Sequence, residues 1–298
     1  MARRFFTLDV FADRALAGNP LAVVVDAEDL EDARMQAIAR EFNLSETVFV
    51  AAPRNPAHAA AARIFTPARE LPFAGHPTIG TAALLAHLRA PELMRTQAVA
   101  VTLEEKIGSV ACRARRDEKG ALAAEFDLPL PPERGEGEPP PAAEIAAGLG
   151  LKTEDIGFDG HAASLFTAGA PYLFAPLRSL EAVKRASPKA WSASGREPVF
   201  LYARGGEAEG SAFHARMFAG AWGVFEDPAT GSAAAAFAGV VLAFERPGDG
   251  KHLIPIEQGC EMGRPSLIAL SLEVEGGRLR KATIGGGVVI VATGALEL

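Results

Sequence analysis

Residues Phe225 to Ala236 read FEDPATGSAAAA, two carboxylates, a proline and a Gly-Ser pair directly ahead of a run of alanines. A polar cluster at the start of an apolar helix can hold an anion. The first N–H groups of a helix lack intrahelical acceptors and carry the positive end of its dipole. One local reading makes Asp227 the N-cap and Pro228 the first helical residue. It leaves Gly231 a turn inside the helix, where glycine costs about 1 kcal/mol relative to alanine. Starting the helix at Thr230 or Gly231 instead hangs the loop 226–230 over the helix mouth, with the N–H groups of Ser232 and Ala233 free for a ligand.

A second stretch favours the later start. Residues 62–81 read ARIFTPARELPFAGHPTIGT and residues 215–232 read ARMFAGAWGVFEDPATGS. Each runs from Ala-Arg-(Ile/Met)-Phe through a loop of turn formers to glycine plus a polar residue, Gly75-His76 or Gly231-Ser232. Phe65 and Phe218 are 153 apart, Gly75 and Gly231 156 apart, about half of the 298-residue chain. Such self-similarity is the mark of a duplicated domain. The helices that follow are apolar all round, through Ile79, Leu84 and Leu85 in one and Phe237, Val240 and Leu242 in the other, which predicts buried helices. Each half is therefore expected to wrap a sheet around a central helix, with both helix mouths open to one cleft.

The elements that must position these mouths are mostly strands. RRFFTLDVF, LAVVVDA, ETVFVAA, AARIFT, AVAVTLE and SVACRARR fill the first half; ASLFTA, YLFAPL, PVFLYAR, FHARMFA, LIPIEQG, SLIALSLEV and VVIVATG follow in the second. DLEDARMQAIAREF reads as a surface helix, with Leu30, Ala33, Ala37, Ile38 and Phe42 on its inner stripe. Residues 128–145, rich in Pro, Gly and Glu, form the only obvious linker. The expected domains are 1–127 and 128–284, with a last strand at about 285–298 returning to the first.

Composition sets limits. A formal net charge of −7 and a pI near 5.5 argue against nucleic acid or an anionic membrane as partner. Asp9 and Asp13 interrupt any apolar core in the first residues, so no signal peptide is expected. No segment approaches 18 uncharged apolar residues. Two cysteines, Cys112 and Cys260, fit a reducing compartment, and the expected location is cytoplasmic. The six histidines include no His-x-His or His-x₃-His pair, so no metal is expected. Ser232 lies in no G-x-S-x-G elbow, and Gly75-His-Pro-Thr-Ile-Gly80 lacks the lysine of a phosphate-binding loop, so hydrolase and nucleotide readings fall away.

The whole chain resembles the phenazine-biosynthesis PhzF-like isomerases, which share the α+β fold of diaminopimelate epimerase. The residues that carry this are DVFADRALAGNPLAVV (9–24), LSETVFV (44–50), FAGHPTIGTA (73–82), TAGAPYLFAPL (167–177) and FEDPATGSAAAA (225–236). The resemblance implies two pseudo-repeat domains, each with a barrel-like sheet around a central helix, an active site in the interdomain cleft and no cofactor. It makes Glu46 the proton acceptor and donor. His76, Asp227 and Ser232 match its other polar catalytic residues, and Asn19, Gly75, His76, Gly231 and Ser232 are the expected substrate-binding residues.

Racemases and epimerases of the wider fold place a cysteine at each helix mouth. Here those places hold His76 and Ser232, so one glutamate returning a proton to another carbon of the same substrate fits better than two opposed bases. The expected partner is a small carboxylate-bearing acid, with monomer and homodimer both open. Two alternatives stand beside the isomerase: an amino- or hydroxy-acid epimerase, and a non-catalytic small-acid binding protein. Duller readings also hold for single residues. Glu46 can be a solvated turn residue, His76 a satisfied turn histidine and Asp227 a helix cap.

Overall fold

The computed structural model describes residues 2–117, 119–193, 198–220 and 224–298. Two compact units divide the chain, Met1–Asp127 with Gly285–Leu298, and Leu128–Ile284. The first holds β1 (Arg3–Val10), β2 (Asn19–Val24), α1 (Asp32–Phe42), β3 (Glu46–Ala51), β4 (Ala60–Phe65), β5 (Glu70–Leu71), α2 (Gly75–Arg89), β6 (Val99–Glu105), β7 (Gly108–Arg116) and β8 (Leu122–Asp127). The second holds β9 (Glu133–Arg134), α3 (Ala142–Leu149), β10 (Ser164–Thr167), β11 (Pro171–Pro176), α4 (Leu180–Arg185), α5 (Lys189–Ala193), β12 (Val199–Arg204), β13 (Phe213–Ala219), β14 (Val224–Asp227), α6 (Gly231–Val240), β15 (Gly250–Gln258) and β16 (Ser266–Glu275). The division falls within the last strand, β17 (Arg278–Leu296).

In the first unit the pairing runs β1–β2, β2–β3, β3–β4, β4–β6, β6–β7 and β7–β8, and β17 pairs with both β8 and β1. The sheet thus closes on itself, which leaves no open edge apart from short strands. The β2–β3 and β4–β6 pairs are parallel and the others in register are antiparallel. The second unit repeats the order: β10–β11 antiparallel, β11–β12 parallel, β12–β13 antiparallel, β13–β15 parallel, β15–β16 antiparallel. This is the mixed, epimerase-like α+β architecture implied by the resemblance.

The central helices are α2 and α6, and apolar sequence is what puts them there. Every residue of α2 from Gly75 to Ala86 is buried, as are nine of the ten residues of α6. α2 lies against β1, β2, β3, β6, β7 and β8. It comes so close that a Cβ on Gly80 would stand 2.6 Å from Leu21 and 2.8 Å from Val10. In α6 the same role falls to Gly239, where a Cβ would meet the Phe166 ring at 2.3 Å. Beyond Val240 the helix widens into one π-helical turn, Val241–Glu245.

Two local expectations shift. The helix α1 starts at Asp32, so Leu30 precedes it, and its buried residues are Met35, Ile38 and Ala39 while Ala33 and Ala37 are exposed. The larger side chains at i, i+3 and i+7 set the phase against Phe49 and Phe65, and the small alanines follow. The proline-rich stretch 128–145 contains β9 and the first turns of α3, whose Ile145 and Leu149 are fully buried against Trp191 and Leu173. Its apolar residues come too few and too late in the window to outweigh the prolines on composition alone.

Candidate active site

Glu46 is the first residue of β3 and pairs in register with Leu21 of β2, so it stands beside Asn19 and Pro20 where that strand begins. Asn19 is fully buried. The strand interior behind Glu46 is closed by Thr47, Val48, Phe49 and Val50, all buried. Glu46 thus stands at the polar end of a strand whose next four residues are buried.

His76 is the second residue of α2 and is 4% exposed. Its Nε2 lies 3.3 Å from Glu46 Oε2. A ring N–H donates to the Pro20 carbonyl, and since Nε2 makes no hydrogen bond, the donor is the other ring nitrogen. Burial pushes the imidazole down to about 3, against the smaller raising effect of that Pro20 bond. The ring is thus neutral, with its Nε2 lone pair turned towards the carboxyl of Glu46. Gly75 opens the same turn. The N-cap Ala74 makes no side-chain capping bond, and no acidic residue lies in the first turn, so the mouth keeps its positive character.

The second unit builds its own mouth. The helix α6 begins at Gly231 with Thr230 as N-cap, so the later of the two expected starts is observed. Asp227 is the last residue of β14 rather than the cap. Its Oδ2 accepts from Thr230 Oγ1 at 2.7 Å, and Gln258 ties the turn from beneath. Gln258 Nε2 donates to the Asp227 carbonyl at 2.7 Å and to Thr230 Oγ1 at 3.1 Å, while its Oε1 accepts from the Thr230 N–H at 3.1 Å. Ser232 Oγ is 2.7 Å from the Tyr172 hydroxyl. Thr230 again makes no side-chain capping bond to the helix.

Glu46, His76, Asn19 and Gly75 are thus gathered in the first unit, and Asp227, Gly231 and Ser232 in the second. Tyr172, Thr230 and Gln258 went unmarked in the sequence. Tyr172 lies within TAGAPYLFAPL, and Gln258 follows Glu257 on a strand whose counterpart ends in Glu104-Glu105, the same 153-residue spacing that relates Phe65 to Phe218. Neither cysteine is at a helix mouth. Cys112 is buried in β7, where burial pushes its thiol far up, and Cys260 lies in a turn after β15.

Among the described residues, one His/Cys/carboxylate group has ligand atoms within 4.8 Å of one another, His214, Glu257 and Cys260. Both imidazole nitrogens are already held, by Glu257 at 2.6 Å and Glu261 at 2.8 Å, so the cluster reads as an ion-pair network. Among the described residues, no helix is long and apolar enough to cross a membrane.

Residues 8–294 match the family model for phenazine biosynthesis-like proteins, PhzC-PhzF. An uncharacterised isomerase of Mesorhizobium japonicum is 48% identical over 99% of this chain and 98% of its own. The trans-2,3-dihydro-3-hydroxyanthranilate isomerase of Pseudomonas fluorescens is 36% identical over 99% of both chains. The crystal structure of a PhzF-family phenazine biosynthesis protein from Bacillus anthracis superposes with a TM-score of 0.87 over all of both chains, at 23% identity, a likeness of fold. The chain belongs to the PhzC-PhzF phenazine biosynthesis-like family, as one of its isomerases.

Proposed function

We propose that the chain moves a proton between carbons of a small carboxylate-bearing acid, without a cofactor, and that Glu46 is the single acid/base. The observation that carries this is the Glu46–His76 contact. A neutral imidazole that has spent its N–H on Pro20 presents only a lone pair at 3.3 Å from a carboxyl oxygen. The Nε2 lone pair is placed to accept a hydrogen bond from the Glu46 carboxyl once that carboxyl has taken up a proton. Glu46 takes a proton from a substrate carbon and returns it to another, and His76 steadies the protonated carboxyl between the two steps.

The substrate carboxylate, or the enolate-like oxygen that grows on it as the proton leaves, is assigned to the uncapped N–H groups at the mouth of α2 beside Glu46 and His76, and the mouth of α6 offers the same kind of anion site. Each mouth offers roughly 0.3–1 kcal/mol to an exposed anion and up to ~2 when partly buried. Oriented donors of this kind and a positioned acid/base, the latter contributing about 10²–10⁴, are the means by which such a site accelerates carbon-proton transfer. Asn19 beside Pro20, and Asp227 and Ser232 at the other mouth, are assigned to orienting the substrate. The Pseudomonas fluorescens relative isomerises an amino-hydroxy cyclohexadiene acid by its name. Cyclic acids with a hydroxy or amino group near an activated C–H are accordingly the first substrates to offer.

The test is incubation with such acids in D₂O, followed by NMR. Deuterium at carbon with a migrated double bond supports this reading. Deuterium with inverted configuration and no migration supports an epimerase, and tight binding without exchange supports a binding protein.

A further inference from the structure

Glu105 ends β6, is 5% exposed and takes no part in the chemistry above. Its Oε1 lies 2.7 Å from Thr78 Oγ1 in the first turns of α2, two residues beyond His76. Its Oε2 is buried with no hydrogen-bond partner. The Thr78 hydroxyl also lies 2.8 Å from the Ala74 carbonyl, an acceptor only, so one proton faces two acceptor oxygens. Both contacts are hydrogen bonds at once only if the hydroxyl donates to Ala74 and a protonated Glu105 donates to the hydroxyl. An ionised Glu105 would bury a charge with one oxygen wholly unsatisfied.

The duplicated half supplies an independent observation. Glu104 accepts from the N–H groups of Arg54 and Asn55, and Glu257 accepts from those of Glu207 and Ala208. Each of these residues stands 153 positions from its counterpart, which makes Glu105 and Gln258 equivalent. Gln258 donates from its amide to Thr230 Oγ1, whose own proton is committed to Asp227. The two hydroxyls sit at different places, Thr230 as the N-cap of α6 and Thr78 four residues past the N-cap of α2, yet the arrangement is analogous: a buried hydroxyl at a helix mouth bonds the turn and meets the end of the strand below. Glutamine is the isostere of a neutral glutamic acid.

We propose that Glu105 is a positioning residue for the α2 mouth, a neutral acid that donates to Thr78 and thereby fixes the Ala74 turn that presents Gly75 and His76. This deepens the reading of that mouth as the site, and rests on it. Burial pushes the Glu105 carboxyl up to about 8, and only a Thr78 hydroxyl turned to donate to the ionised form opposes this. The groups around it leave its titration simple. His76 on α2 is neutral, Cys112 on β7 stays a thiol, Lys106 turns to Glu70, and Glu104 to Arg54 and His58. Ionisation reverses the Thr78 hydrogen bond and takes a donor from the Ala74 carbonyl.

The test needs no substrate, so it is independent of whether the isomerase reading holds. In the wild type, infrared difference spectra from pH 6 to 10 should lose a buried carboxylic-acid band. The amide NMR signals of Gly75, His76 and Thr78 should move with the same midpoint. In Glu105→Gln the band and the titration of those amides should both be lost, and the pH 9 spectrum should match the wild type at pH 6. Amides that titrate equally in Glu105→Gln, a wild type in which they do not titrate, or a Glu105→Gln chain that fails to fold would each overturn the proposal. The isostere of a neutral acid has no reason to unfold.

Discussion

Replacing His214 by leucine should cost stability heavily and in a pH-dependent way. The ring is fully buried between Glu257 at 2.6 Å and Glu261 at 2.8 Å. Burial alone would lower the imidazole, but its bonds to Cys260, Glu261 and Glu257 prevail and hold it at about 10, up from 6.5. At about 1.4 kcal/mol per unit, that shift corresponds to an upper limit near 5 kcal/mol. Breaking buried ion pairs costs about 3–5 kcal/mol, which is the loss expected for His214→Leu at pH 7. The sign follows from the raised value: the contribution is complete below pH 6.5 and fades as pH rises through 10. The damage should reach the site as well. Glu257 pins the loop N–H groups of Glu207 and Ala208 and precedes Gln258, which braces Asp227 and Thr230. Urea unfolding of both proteins at pH 7 and pH 10.5 measures this. A difference under about 1 kcal/mol at pH 7, or one that does not shrink at pH 10.5, would refute the argument.

Three further outcomes are expected. Gly80→Ala gains about 1 kcal/mol of helix propensity but forces a Cβ to within 2.6 Å of Leu21 and 2.8 Å of the stiff Val10, a cost of about 1–3 kcal/mol, so thermal unfolding should show a net loss or no gain. Tyr172→Phe removes the 2.7 Å partner of Ser232 Oγ and should raise KM for an accepted acid several-fold while kcat changes less; an unchanged KM would detach Ser232 from substrate binding. Cys112→Ala combined with Cys260→Ala should leave turnover within a few-fold, because neither thiol is at a helix mouth, whereas complete loss would restore a thiol mechanism.

Much of the fold was legible because its signals are strong and local. Runs such as LAVVVDA and SLIALSLEV overlap β2 and β16, and the largely apolar segments after Gly75 and Gly231 are the central helices α2 and α6. Short or mixed elements were not legible. The strand β8 (Leu122–Asp127) alternates burial through alanines and charges without looking apolar, and the strands β5 and β9 have two residues each. At the site, the resemblance named Glu46 and His76, thirty residues apart, and the 3.3 Å contact between them is a product of β3 and α2 packing that no spacing in the chain displays. Tyr172, Gln258 and Glu105 escaped for a related reason. Each acts through hydrogen bonds to residues of the mouth, and a lone tyrosine, glutamine or glutamate at a strand carries no pattern.

The central claim is that Glu46 carries the proton. Glu46→Gln keeps the side chain's size and reach and removes its titrating oxygen, so it separates proton transfer from binding. The direct measurement is the rate of solvent deuterium incorporation at carbon, in an acid the wild type accepts, with affinity for that acid measured in parallel. The account predicts unchanged affinity and exchange slowed by about 10² or more. Exchange at the wild-type rate in Glu46→Gln would contradict it.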